Sequence, residues 1–134
     1  MRDSLHVCAP WPILPKMHAD VFLDRWATAL RNRNPGMITG MYAPTAVLLP
    51  TLDARPLVGH KAIYAYFDQL MQTNGLGVEY NRVLPVCGPP MVESAVGIVA
   101  GLYTFRLPEP TPARFTFVYR RGGSILHHHS SAAP

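Results

Sequence analysis

Cysteine is scarce in this chain: Cys8 and Cys87 are the only two among 134 residues. Two unpatterned cysteines in a reducing compartment are expected to be packed thiols. Charge is also sparse, at 15% of residues, with a mild formal excess of +4. The basic residues are scattered and never form a run of five, so the clustered stripe that nucleic-acid binding wants is missing. An anionic small molecule or plain solubility accounts better for that charge. No apolar run approaches the length of a membrane span. The opening Met1-Arg2-Asp3 places an acid where a signal peptide wants basic residues, and Pro10, Pro12 and Pro15 interrupt any apolar segment, so a cytoplasmic location is expected. Phosphate loops are missing too, since Gly75-Leu76-Gly77 lacks the third glycine and the helix. No internal repeat is present.

Apolar residues make up 49% of the chain, which argues for a folded core and against disorder. The length suits one domain. Residues 1–16 are proline-rich and read as an arm; residues 17–134 read as a single domain. Phe22, Trp26, Ala29 and Leu30 recur at helical spacing and predict a helix over 20–30. A short second helix is expected over 37–42 and a third over 59–72, where Ile63, Phe67, Leu70 and Met71 would be buried. A short strand is expected at 46–49. Further strands are expected over 78–86, 91–100, 102–107, 114–121 and 124–131, with Gly97 and Gly101 marking a bulge or bend. About three helices followed by strands predict an α+β fold, a curled antiparallel sheet with its helices on one face. Such a sheet encloses a conical pocket.

The last strand concentrates the reactive side chains: Ile125-Leu126-His127-His128-His129-Ser130-Ser131. Simple alternation from Ile125 puts His127, His129 and Ser131 on one face and His128 on the other. A His-x-His pair on a strand is common among zinc ligands, but a zinc site wants a third or fourth donor, and no spacing ties His60, Cys87 or Glu93 to this strand. The plainer reading is that these imidazoles donate to backbone carbonyls. No cofactor is therefore expected, with zinc or manganese as the alternative. Thr51 follows a buried strand and Tyr66 flanks the core stripe of the third helix; each also fits a bland role, as a turn residue or as amphipathic cover. Arg114 would suit an anion inside an apolar cone, or pair with Glu93. No acid sits predictably behind His129, so a Ser-His-Asp triad does not emerge.

Leu48-Leu49-Pro50-Thr51, Tyr66-Phe67, Gly101-Leu102-Tyr103-Thr104-Phe105, Ala113 to Tyr119 and His127 to Ser131, taken together in this order, resemble the iota-class carbonic anhydrases. That family is related to the association domain of calcium/calmodulin-dependent protein kinase within the nuclear-transport-factor-two-like superfamily. The similarity spans residues 20–134, and the final HHHSS is its most specific piece. It implies a cone-shaped α+β fold, a homodimer, and reversible hydration of carbon dioxide to bicarbonate, in some relatives without metal. Its implied catalytic residues are Thr51, Tyr66, His129 and Ser131, with Tyr103, Arg114 and His127 expected to meet substrate. Ser124, Phe115 and the proline-rich arm depart from the family pattern. Two alternatives stand beside this reading: a polyketide-cyclase- or isomerase-like enzyme, which would need an Asp-His pair, and a non-catalytic association or anion-binding module.

Overall fold

The structure is a computed structural model and describes residues 19–133; the expected arm lies outside these residues. Helix α1 (Ala19–Arg31) buries Phe22, Leu23, Trp26, Ala27, Ala29 and Leu30. Asp20 at its start and Arg31 at its end oppose the helix dipole in the favourable sense. Helix α2 (Pro35–Thr39) begins where the Asn34 side chain accepts the Met37 N–H at 3.1 Å, with proline in the first turn. It ends earlier than the sequence spacing predicts. Gly40 caps it, and Tyr42 already belongs to the sheet. The pairing of Tyr42 with Ile125 outweighs the weak helical period of so short a segment.

Strand β1 (Tyr42–Leu49) and the two-residue β2 (Leu57–Val58) lead into helix α3 (Gly59–Leu70). Gly59 sits at φ 86°, a left-handed conformation that glycine reaches without the steric penalty of a Cβ. Strand β3 (Gly77–Pro85), helix α4 (Pro90–Ala95), and strands β4 (Val96–Arg106), β5 (Thr111–Arg120) and β6 (Ile125–Ala132) complete the chain. Residues 91–95, expected to be extended, are helical, with Pro89 at the N-cap and Pro90 in the first turn. Residues expected as two consecutive strands run unbroken as β4.

The sheet order is β2-β1-β6-β5-β4-β3. Strands β3 to β6 form an antiparallel meander, while β1 lies parallel to β6, so the sheet is mixed rather than wholly antiparallel. A parallel pair requires a long crossover, and the chain between β1 and β6 supplies it. Both edges remain open, and the curled sheet packs on α1 and α3. Gly101 stands where β3 bulges between Tyr80 and Arg82; a Cβ there would run into the Arg82 carbonyl oxygen.

Between sheet and helices lies an aromatic core. Phe22 stacks on Tyr119 with centroids 4.0 Å apart, and Trp26 meets Phe117 edge-on at 5.4 Å. Fully burying one such ring contributes about 1.5–3 kcal/mol. Cys8, one of the two cysteines expected to be packed thiols, lies outside the described residues, among which no cysteine is free. No helix among them is long and apolar enough to cross a membrane.

One irregularity decides the site. Val118 pairs with His127, but the next residue, Tyr119, pairs with Ile125. Strand β6 therefore carries an extra residue, Leu126, opposite β5. Such a bulge reverses the alternation beyond it. Ile125 faces the core, and so do His128 and Ser130.

Candidate functional site

Six side chains from α1, β1, β4, β6 and the corner after β1 form one hydrogen-bonded file through the core. The Trp26 indole N–H donates to the Tyr42 hydroxyl at 3.1 Å. Tyr42 meets His128 Nδ1 at 2.8 Å, and His128 Nε2 meets the Tyr103 hydroxyl at 3.1 Å. Tyr103 donates to Ser130 Oγ at 2.6 Å, and Ser130 is hydrogen-bonded to the Thr51 hydroxyl. Strand pairing explains the convergence. Phe117 and Phe115 stand opposite His128 and Ser130 and share their face, while the parallel partner β1 runs its end, Leu49, level with His129. Thr51 thereby arrives beside Ser130.

Burial sets the electrostatics. His128 is only 2% exposed and lies flat on Phe117, with centroids 3.9 Å apart and planes at 18°. Desolvation holds its pKa well below 6.5, assisted by repulsion from His127 and His129, so the ring is neutral. Desolvation likewise pushes the phenols of Tyr42 and Tyr103 far above their usual range. Both remain O–H donors at any physiological pH.

The file reaches a half-buried terminus at Thr51. Next to it, Leu52 holds Tyr66 through a backbone hydrogen bond, which partly offsets the desolvation that raises the Tyr66 phenol to about 12. Tyr66 is near enough to Tyr42 and Tyr103 to raise their pKa values further. Leu52, Asp53, Leu57, Ala62, Tyr66 and Leu70 are among the walls of a cleft of about 580 Å³. At its rim, Asp53 and Arg55 pair at 2.9 Å.

The structure thus brings Thr51, Tyr66 and Tyr103 to one region and leaves the other expected site residues outside it. His129 and Ser131 point to the opposite sheet face, where they line a groove of about 730 Å³ with Arg114, Thr116 and Leu102. Arg114 pairs across β5 and β6 with Ser131, so it too faces away from the core. His127 donates its Nδ1 proton to the Val47 carbonyl at 2.9 Å, the plain backbone role. The cause is the Leu126 bulge: alternation counted from Ile125 assigns every later residue to the wrong face. His128, Ser130, Tyr42 and Trp26 are the residues that sequence reasoning missed. Counting instead from the penultimate strand, where Phe115, Phe117 and Tyr119 must face the core, shows that His128 and Ser130 pair with that face.

Both nitrogens of His128 are engaged by tyrosines, and among the described residues no three His, Cys, Asp or Glu side chains come together.

A six-stranded, open, curled sheet packed on helices is the fold of nuclear-transport-factor-two-like proteins. The chain is similar to a structure from Xanthomonas campestris described as a calcium/calmodulin-dependent protein kinase II association domain. Identity is 30%, 96% of each chain is covered, and the TM-score is 0.76. It therefore belongs to that association-domain family. A nuclear-transport-factor-two-like protein of unknown function from Pseudomonas putida is 23% identical over 84% of this chain and 82% of its own, with TM-score 0.70. A ketosteroid isomerase-like fold from Catenulispora acidiphila, in complex with trimethylamine, is 14% identical over 81% of this chain and 82% of its own, with TM-score 0.58. No family model and no curated protein matches the sequence.

Proposed function

We propose that the protein hydrates carbon dioxide at the Thr51 end of the buried file, without a metal. The observation that carries this reading is the unbroken run His128–Tyr103–Ser130–Thr51, which ends at a hydroxyl beside the Tyr66 cleft. The motif resemblance to iota-class carbonic anhydrases supports the choice of substrate.

Energetics select the mechanism. Making free hydroxide with an ordinary histidine as acceptor spans about nine pK units, or about 12 kcal/mol. For His128 the cost is greater still, because burial disfavours its charged form. The proton must therefore move as the bond forms. Water held between Thr51 and Tyr66 attacks the carbon of carbon dioxide and gives one proton to Thr51 Oγ. Thr51 passes its own proton to a carbon dioxide oxygen as that oxygen gains charge. Water and carbon dioxide become neutral carbonic acid, which ionises to bicarbonate in bulk water. No ion forms in the low-dielectric cone. Tyr66, whose high pKa keeps its proton in place, orients the water.

Stopped-flow hydration of carbon dioxide in the presence of a chelator tests the proposal. The wild type should exceed buffer, and Thr51→Val should lose about 100-fold, the usual cost of one transition-state donor. No activity above buffer, or an undiminished Thr51→Val, refutes it. A second reading, a non-catalytic self-association module, is favoured by the description of the 30% identical relative. It is chosen if the protein assembles on size-exclusion chromatography yet never turns over carbon dioxide. An isomerase reading would want an Asp-His pair, and among the described residues His128 meets Tyr42 and Tyr103 instead of a carboxylate.

A further inference from the structure

Every hydrogen bond in the file joins groups that could each donate or accept, with one exception at its inner end. The Trp26 indole nitrogen has a proton and no usable lone pair, so it can only donate. It gives that proton to the Tyr42 hydroxyl oxygen. Among the described residues, the hydroxyl proton of Tyr42 then has one acceptor within reach, His128 Nδ1. A neutral imidazole that accepts at Nδ1 carries its proton at Nε2 and donates it to Tyr103. Tyr103 accordingly spends its proton on Ser130, and Ser130 is left to donate to Thr51. The reverse direction fails at Tyr42. With His128 protonated at Nδ1, two donors would point at one oxygen, and the phenol proton would be buried without an acceptor, a cost of the order of a lost hydrogen bond. The same objection applies to an imidazolium.

We infer that Trp26 is a positioning residue that fixes the direction of all the hydroxyls as far as Thr51, so that Thr51 presents its own O–H outward and the site takes a ligand through an acceptor oxygen. Carbon dioxide, bicarbonate and small carboxylates have such an oxygen; an alkylammonium does not. The inference deepens the hydration reading, since a Thr51 proton turned back toward Ser130 could not be passed to carbon dioxide. The orientation itself stands on the hydrogen bonds alone, whatever the reaction.

The test is the nitrogen-15 spectrum of the histidines in the intact protein. His128 should be protonated at Nε2 and bare at Nδ1 throughout the neutral range. A resonance pair for the Nδ1–H form, a tautomer mixture, or an imidazolium overturns the inference. In Trp26→Phe, the Nδ1–H form should become populated and carbon dioxide hydration should fall; an unchanged single tautomer in a folded Trp26→Phe overturns the assignment to Trp26. Should that variant fail to fold, the wild-type spectrum still decides the orientation. Formate added to the wild type should shift the Thr51 resonances, and methylammonium should not; the opposite pattern rejects the ligand class. An Nε2–H tautomer in a protein without hydration activity removes the carbonic anhydrase reading and leaves this inference intact. Activity alongside an Nδ1–H tautomer does the converse.

Discussion

His128 rests face to face on Phe117, and this stack closes one side of the imidazole while Tyr42 and Tyr103 hold its two nitrogens. A ring so enclosed cannot take up a proton without breaking the file. The position of the pair follows from strand pairing, since Phe117 and His128 are direct cross-strand partners.

Stability should fall in acid through this one ring. The folded pKa of His128 is depressed, so below about 6.5 the unfolded chain binds a proton that the native state refuses. Stability is complete above that pH and declines as pH drops, by up to about 1.4 kcal/mol per unit. Urea unfolding between pH 7.5 and 5 should show this slope in the wild type and a shallower one in His128→Phe. Equal slopes would mean that the ring is not held neutral.

Removing one hydroxyl from the middle of the file should cost more than its size suggests. Tyr103→Phe keeps the ring but leaves His128 Nε2 and Ser130 without their partner, which should cost about 1–3 kcal/mol. Tyr64→Phe, on the exposed side of α3, should stay within about 0.5 kcal/mol of wild type. Denaturant midpoints of the two variants, compared at pH 7.5, check the contrast.

Much of this arrangement was legible in the sequence, and the exceptions have physical causes. The α1 stripe of Phe22, Trp26 and Leu30 gave its helix directly, because a continuous 3.6-residue period admits no other reading. Thr51 and Tyr66 were legible as members of ordered motifs. The choice of face on β6 was not, since a single bulged residue at Leu126 leaves no mark on the hydrophobic pattern yet reverses everything after it. Trp26 escaped notice for another reason: a tryptophan on a core stripe looks like packing, and only its bond to Tyr42 gives it a polar task. Tyr42 was hidden by the brevity of α2.

The adjacent serines of β6 offer the most direct test of the central claim, that hydration runs through the inward file. Ser130 is bonded to Tyr103 and to Thr51, while Ser131 lines the outer groove beside Arg114. Carbon dioxide hydration should be measured for Ser130→Ala and Ser131→Ala in chelator-treated buffer. The account predicts a loss of about 100-fold in the first and wild-type activity in the second. Equal activity in both, or a loss confined to Ser131→Ala, would contradict it.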